Sequence, residues 1–153
     1  MRKFEIISKK EIEKNINLKY ENIVLPKRQT AKSAGYDFYL PYDIFLKSGE
    51  VKIIATGIKA SLEDDEVLEI YIRSSMAIKR GLFLVNQVGI IDADYYNNPD
   101  NEGHIMIAIR NTSEVEVSLK AGERIAQGVF KKYLVTDDDN ATNTRCGGIG
   151  STK

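Results

Sequence analysis

Apolar and polar residues alternate over several short stretches of this chain, and this alternation most restricts the fold that it can adopt. Residues 68–72, 105–110 and 115–119 each place an aliphatic side chain at every second position. A period of two puts those side chains on one face of an extended chain, so each stretch predicts a half-buried β-strand. Turn-rich segments separate the stretches, as in all-β sandwiches and barrels. We therefore expect an all-β fold, either a sandwich or a barrel.

Local signals add breaks and turns to this pattern. Gly57 interrupts a strand-like stretch at 51–62, and the polar residues 111–113 predict a hairpin between the strands on either side of them. Ser8 and Glu11 have the spacing of a capping box, which predicts a turn or two of helix near the start of the chain.

Composition and charge limit the classes of function. With 153 residues, 42% hydrophobic and 29% charged, the chain has the make-up of one soluble globular domain. The 22 Lys and Arg residues balance 22 Asp and Glu, so no net charge favours nucleic acid. No stretch suits a signal peptide or a membrane span, and the single cysteine leaves no internal disulfide. We expect a cytoplasmic protein without nucleic-acid or membrane partners.

Two residue types that occur only once in the chain limit the chemistry further. Cys146 and His104 are the single residues of their kinds, so they cannot form a Cys/His metal site. We interpret His104 as a solvated residue at the edge of a strand. No Ser-His-Asp or Cys-His arrangement is evident, so catalysis would depend on carboxylates, backbone amides and a cofactor.

The segment 89–96 carries the strongest chemical signal. A Gly-bounded Ile-Ile pair leads into Asp92 and Asp94, and two tyrosines follow. Taken alone, it is a strand ending in an acidic surface turn, although carboxylates are rarely buried without a partner or a role. Other segments supply the basic, hydroxyl and Gly-rich residues that an anionic substrate needs. We interpret 89–96 as the floor of a nucleotide site.

Arginine and two serine hydroxyls stand at the start of a short helix that we expect in the fold. Arg73, Ser74 and Ser75 follow a predicted strand, and Gly81 is a suitable C-cap for a helix at 74–80. The free N–H groups of a helix start, with these side chains, make an anion cradle. Ordinary helix capping explains the same residues almost as well.

The end of the chain differs in kind from the rest. Residues 137–144 are polar and acidic, which predicts a flexible linker, and a Gly-rich tail follows. Most such tails are unstructured chain ends. Glycines beside Arg145, Ser151 and Thr152 also suit close approach to phosphate. We therefore predict a β domain at 1–136 and a linker with a Gly-rich lid at 137–153.

Five segments, in this order, resemble the motifs of the trimeric deoxyuridine triphosphatase (dUTPase) family. They are Ala34-Gly-Tyr-Asp37, Arg73-Ser-Ser75, Gly89-Ile-Ile-Asp-Ala-Asp-Tyr95, Gly122-Glu-Arg-Ile-Ala-Gln127 and Gly147-Gly-Ile-Gly-Ser-Thr152. The resemblance implies a jelly-roll-like β-barrel or sandwich, and a homotrimer with three active sites at subunit interfaces. It also implies hydrolysis of dUTP to dUMP and pyrophosphate with Mg²⁺.

The resemblance implies roles for individual residues. Asp92 is similar to the family's general base, which hydrogen-bonds the water that attacks the α-phosphorus. Asp94 is expected to be its partner. In the family an aromatic ring packs under the deoxyribose and excludes a 2′-hydroxyl; Tyr95 occupies that position, and the adjacent Tyr96 is an alternative.

The implied substrate contacts fall into groups. The phosphates would be held by Arg73, Ser74, Ser75 and Gln127. Uracil would be read by the hairpin from Asn86 to Met106, through the Asn86 amide and the backbone around Ile90, Ile91 and Asp92. The lid would contribute Arg145, Ile149, Gly150, Ser151 and Thr152. Mg²⁺ would be bound by phosphates and water, and Asp37 would reach it only through water.

Two departures from the family pattern and two alternatives remain. The loop 97–101 lengthens the hairpin beside Tyr95, and Ile149 stands where the family usually has phenylalanine. A dCTP deaminase has a similar fold and an Arg-Ser-Ser motif, but it requires a catalytic glutamate for which the segment 89–96 has no candidate. A regulatory protein that binds a protein partner, as phage-encoded relatives do, is the other alternative.

Overall fold

Antiparallel β-strands make up most of the structure. In residues 1–150, the part of the chain that the computed structural model describes, eleven strands are joined by turns. They are β1 (Lys3–Ile6), β2 (Tyr36–Tyr39), β3 (Ile44–Leu46), β4 (Val51–Ala55), β5 (Ile58–Ser61), β6 (Glu66–Ile72), β7 (Leu82–Leu84), β8 (Gly89–Asp92), β9 (Met106–Asn111), β10 (Val117–Leu119) and β11 (Arg124–Lys132). Two helices, α1 (Lys9–Ile12) and α2 (Ser74–Arg80), and 3-10 turns at Tyr20–Asn22 and Ala93–Tyr95 complete the elements.

The strands form a sandwich of small sheets. One sheet has the order β2-β11-β6-β8 and another β4-β9-β7, while β1 pairs with β5 and β10 with β3. Ile107 and Ile109 on β9 are buried between the sheets, whereas Met106 and Arg110 on the same strand are exposed. The all-β prediction is confirmed, as a sandwich and not as a closed barrel.

Two glycines end elements where the sequence predicts. Gly57 separates β4 from β5 with φ of +76°, and Gly81 ends α2 with φ of +63°. Both angles lie in the left-handed region, which glycine adopts at little cost. The predicted helix at 74–80 is confirmed as α2, and the turn of helix predicted after Ser8 is present as α1.

The hairpin predicted at 111–113 is wrong. β9 pairs with β4 and β7, whereas β10 pairs with β3 in a different sheet. The cause is the side chain of Asn111, which is fully buried and donates to the carbonyls of Leu46, Lys47 and Val115. These bonds hold the chain in a path that crosses from one sheet to the other.

The predicted capping box forms only in part. Ser8 Oγ accepts from the N–H of Glu11 at 3.2 Å, as a cap should. The Ser8 N–H, however, donates to the carboxylate of Glu102 at 3.1 Å and not to that of Glu11. A residue distant in sequence therefore completes the cap, and Glu11 is left to face His104.

His104 is buried, so its interpretation as a solvated edge residue is wrong. Its exposed fraction is 4%, its Nε2 accepts from the N–H of Gly57 at 2.9 Å, and its Nδ1 lies 3.6 Å from the carboxylate of Glu11. Burial lowers the pKa of His104 below its ordinary value of 6.5, and the Glu11 carboxylate opposes part of that shift.

This buried imidazole should make stability depend on pH. Below about pH 6.5 the unfolded chain takes up a proton that folded His104 resists, so the free energy of unfolding should fall as pH decreases. The slope is at most about 1.4 kcal/mol per pH unit for one proton. Urea unfolding between pH 5.5 and 7.5 measures it. His104→Gln keeps an acceptor for Gly57 and does not titrate, so it should flatten the profile; an unchanged profile would contradict the assignment.

Past β11, no further helix or strand occurs up to residue 150. The division between a β domain at 1–136 and a tail at 137–153 stays a prediction. Among the described residues, no helix is long and apolar enough to cross a membrane.

Candidate active site

The acidic segment 89–96 begins on an edge strand. β8 pairs with β6 on one side, with Ile90 opposite Glu69 and Asp92 opposite Val67. No other strand between residues 1 and 150 pairs with its outer edge. An edge strand presents alternating N–H and C=O groups, so β8 can hydrogen-bond a planar ligand laid along it.

A cavity of about 550 Å³ lies against that edge. The predicted site residues that line it from the body of the fold are Asn86, Ile90, Ile91, Asp92, Tyr95 and Met106. From the tail it is lined by Arg145, Gly148 and Ile149. Its walls come from both large sheets, because β8 joins β6 while β9 joins β4 and β7. The two arms of the predicted hairpin from Asn86 to Met106 therefore do not pair with each other; they separate and leave the cavity between them.

Of the two adjacent tyrosines, the structure places Tyr95 in the cavity. Its side chain is 9% exposed, and its hydroxyl donates to the carbonyl of His104 at 2.9 Å. Burial raises the pKa of Tyr95 above its ordinary value of 10.0, so it is protonated at neutral pH. Tyr96 points elsewhere, since its hydroxyl bonds to Glu5 and its ring lies beneath the ammonium of Lys59.

The tail brings a cation to the two acids. Arg145 Nε donates to Asp94 at 2.7 Å, and its Nη2 donates to Asp92. The bond to Asp94 raises the pKa of Arg145, while its guanidinium carbon lies 5.9 Å from the centre of the Tyr95 ring. Asp94 thus holds the tail arginine, a contact that sequence reasoning did not predict. Ile149 is 91% exposed at the mouth of the cavity, and Ser151 and Thr152 lie outside the described residues.

The predicted phosphate-binding residues form a second group, at the other end of the same sheet. Asp37 on β2 is 6% exposed and accepts from Arg73 Nε at 3.2 Å and from Arg124 Nη1 at 3.0 Å. Gln127 lies opposite Asp37 in the β2–β11 register. Arg124 lies within a motif-like segment, yet sequence reasoning gave it no role because only the fold brings it to Asp37.

Arg73 itself is the N-cap residue of α2, and Ser74 and Ser75 form its first turn. The Arg73 side chain makes no hydrogen bond to the start of the helix, so helix capping does not explain this residue. A shallow depression beside it is lined by Ser75, Lys79, Arg80 and Arg124, among others. We refer to Arg73, Ser74, Ser75, Arg124 and Gln127 as the phosphate cluster.

The phosphate cluster and the cavity are far apart within one chain. Asp92 on β8 lies opposite Val67 on β6. Arg73 comes six residues after Val67, in the direction in which β6 runs. At about 3.3 Å per residue, the backbones of Arg73 and Asp92 are roughly 20 Å apart. Within one chain, Arg73 and Asp92 therefore lie at separate places on the sheet.

The carboxylates do not form a ready-made metal centre. Among residues 1–150, no three His, Cys, Asp or Glu side chains are placed to hold a metal ion together. Both carboxylate oxygens of Asp37 are engaged by arginines, which disfavours direct contact with a cation.

The fold is an all-β sandwich. Its candidate site combines an edge strand beside an apolar cavity with two adjacent acids and a cluster of cations, which are features of a nucleotide-binding protein. The dUTPase family model matches residues 21–153. This chain belongs to the dUTPase family.

Individual relatives agree with that membership. The deoxyuridine 5'-triphosphate nucleotidohydrolase of Lactococcus lactis is 50% identical over 138 residues, which is 88% of this chain and 92% of that protein. The dUTPase from Streptococcus mutans superposes with a TM-score of 0.76 at 44% identity, covering 88% of this chain and 98% of that one.

More distant structures share the fold alone. A dUTPase variant from phage phi11 of S. aureus, reported to reveal the coordination of a structural Mg(II) ion, has a TM-score of 0.69 at 18% identity. It covers 94% of this chain and 97% of that one.

Proposed function

We propose that this chain hydrolyses dUTP to dUMP and pyrophosphate, with Asp92 activating the water that attacks the α-phosphorus. Family membership supports the reaction, and one observation carries the assignment of the base. Asp92 ends the edge strand at the cavity, within reach of a ligand that lies along β8 and over Tyr95. A carboxylate in that position can accept a proton from water as the bond to phosphorus forms.

Base selection would come from the edge of β8. Its free N–H and C=O groups around Ile90 and Ile91 can pair with the alternating acceptors and donor of uracil, and the Asn86 amide adds a further contact. Cytosine would leave one buried group without a partner, which costs more than a lost contact with solvent. Met106 lines the cavity and would limit the room for a 5-methyl group, so thymine would be excluded by size.

Sugar selection and closure would involve Tyr95 and the tail. The buried ring of Tyr95 would lie under the deoxyribose and leave no room for a 2′-hydroxyl. Arg145 lies beside Asp92, so the tail contacts the site. Arriving phosphates would compete with Asp92 and Asp94 for that guanidinium, and Ile149, Gly150, Ser151 and Thr152 would then cover the ligand.

Mg²⁺ would be held by the triphosphate, and Asp37 would contact it only through water. When bound, it neutralises part of the phosphate charge. The chain itself supplies the guanidinium of Arg73, the hydroxyls of Ser74 and Ser75 and the amide of Gln127 to orient the phosphates.

The separation of the phosphate cluster from the cavity suits a site shared between subunits, as in the homotrimer that we propose. Because Arg73 and Asp92 are roughly 20 Å apart in one chain, the phosphate cluster of one subunit would face the cavity of another. The outer face of the β4-β9-β7 sheet is apolar and 37% to 57% exposed at the following residues: Val51, Ile53, Phe83, Val85 and Met106. Ile53, Val85 and Met106 also line the cavity, so copies packed on this face would adjoin the site.

Two alternatives make different predictions. A dCTP deaminase would release ammonia from dCTP, and the segment 89–96 offers it no glutamate. A regulatory role through a protein partner has weaker support: phage 80alpha dUTPases are described as controlling transfer of virulence genes, but they are 20% identical and share only the fold. A cytoplasmic location completes the proposal.

One assay tests the reaction. Pyrophosphate release from dUTP should exceed that from dCTP, dTTP and UTP, and it should require Mg²⁺. Ammonia is measured in the same samples. Release of ammonia from dCTP, or no preference for dUTP, would overturn the proposal.

A further inference from the structure

A loop at residues 97–103, which we call the asparagine loop, follows the two tyrosines. The sequence indicates only a turn that lengthens the region beside Tyr95. We propose that this loop is a positioning element for Tyr95, and that Asn101 sets how strongly the site prefers deoxyribose to ribose. The proposal rests on the dUTP hydrolysis proposed above.

The loop is fixed beneath the backbone of Tyr95. Asn98 is 5% exposed, and its Nδ2 donates to the Tyr95 carbonyl at 2.8 Å. Its Oδ1 accepts from the N–H groups of Asp100 and Asn101, at 3.0 and 3.1 Å. Gly103 has φ of +82°, and a Cβ there would lie 2.6 Å from the Tyr95 carbonyl oxygen. Any side chain at 103 would therefore displace the tyrosine or the loop.

The same loop holds the far end of the Tyr95 side chain. Asn101 Nδ2 donates to the Tyr95 hydroxyl at 2.8 Å, and that hydroxyl donates to the His104 carbonyl. The Asn101 amide cannot simply turn over, because its Oδ1 accepts from Asn98 Nδ2 at 2.8 Å and from the Gly103 N–H at 3.1 Å. The hydroxyl of Tyr95 therefore has one fixed donor and one fixed acceptor.

Fixing both ends of Tyr95 has a consequence for specificity. A ring that excludes a 2′-hydroxyl by contact must not yield, since a small shift would admit the extra oxygen. The tail also meets this edge of the ring, because a Cβ on Gly148 would lie 2.9 Å from the Tyr95 hydroxyl oxygen. Loss of the Asn101 bond should loosen the ring where both the sugar and the tail depend on it.

Asn101→Asp tests this with little change in shape. Aspartate keeps the acceptors for Asn98 and Gly103 but cannot donate to the Tyr95 hydroxyl. That hydroxyl could bond to the new carboxylate only by giving up the His104 carbonyl, so Tyr95 loses one of its two fixed partners in either case. We expect the ratio of kcat/KM for dUTP to that for UTP to fall about fivefold to tenfold, as loss of one buried hydrogen bond would allow. The added charge should not alter the ratio, because dUTP and UTP carry the same triphosphate.

Asn97→Asp is the matched control. It adds the same charge to the same loop. Lys59 Nζ donates to Asn97 Oδ1 at 2.6 Å, and aspartate retains that oxygen. Its dUTP-to-UTP ratio should equal that of the wild type. Tyr95→Phe removes the hydroxyl and should reproduce the Asn101→Asp ratio, and the double variant should be no worse than either single one.

The outcomes separate the two proposals. A wild-type enzyme that does not hydrolyse dUTP would overturn both. If it does hydrolyse dUTP, but Asn101→Asp and Tyr95→Phe keep the wild-type ratio, only the positioning role is overturned. If Asn101→Asp loses thermal stability, Tyr95→Phe still decides the matter, because it leaves the bonds from Asn98 and Gly103 to Asn101 in place. Equal losses in Asn97→Asp and Asn101→Asp would assign the effect to charge and also overturn it.

Discussion

Asp92→Asn should lower kcat for dUTP by about 10²- to 10⁴-fold, the usual contribution of a positioned general base. Asparagine keeps the shape of the side chain but cannot take a proton from water. Substrate binding should survive, because β8, Tyr95 and the phosphate cluster are unchanged. Steady-state pyrophosphate release measures kcat, and the dissociation constant of a non-hydrolysable dUTP analogue measures binding.

Asp94→Asn is the control for this experiment. Both acids bond to Arg145, so each substitution weakens the hold on the tail, but only Asp92 lines the cavity. Asp94→Asn should therefore cost far less in kcat than Asp92→Asn. Near-normal turnover by Asp92→Asn, or equal losses in the two variants, would show that Asp92 is not the base.

Two inactive variants should restore activity when they are refolded together. Arg73→Gln disables the phosphate cluster and Asp92→Asn disables the cavity, and these lie roughly 20 Å apart in one chain. In a trimer that builds each site from a cluster and a cavity of different subunits, a mixed assembly contains intact sites. Random 1:1 mixing should make about a quarter of the sites intact, because each needs one chain of either kind in a fixed order.

The control mixes two variants of the same half. Asp92→Asn refolded with Asp92→Ala cannot produce an intact cavity, so it should stay inactive. Mixed assemblies are verified by a size tag on one variant before pyrophosphate release is measured. If verified mixtures of Arg73→Gln and Asp92→Asn remain inactive, each site is built within one chain and the proposed arrangement is wrong.

Local patterns in the sequence determined the elements. The segments with period-two alternation at 68–72 and 105–110 form β6 and β9. A strand with one buried face needs an apolar side chain at every second position, whichever strand it pairs with. Gly57 and Gly81 mark ends of elements because their positive φ angles are a local property of the backbone. The acidic segment at 89–96 was recognisable for the same reason: a Gly-bounded apolar pair followed by two acids is visible without a fold.

Tertiary structure decided which elements and side chains meet. Neighbouring strands at 105–110 and 115–119 looked like a hairpin, but the buried amide of Asn111 bonds to residues 46 and 47 and sends them to different sheets. His104 looked solvated until the fold placed Gly57 and Glu11 against its two ring nitrogens.

The candidate site shows the same difference between what the sequence determined and what the tertiary structure decided. Its residue types could be predicted from motifs, but two tyrosines adjacent in sequence are equivalent until packing turns Tyr95 into the cavity and Tyr96 toward Glu5. Arg124 gained a role only when β11 placed it beside Asp37. Strand periodicity determines which face of a segment is buried, whereas contacts between residues distant in sequence determine what that face meets, and so the chemistry of the site was decided by the fold.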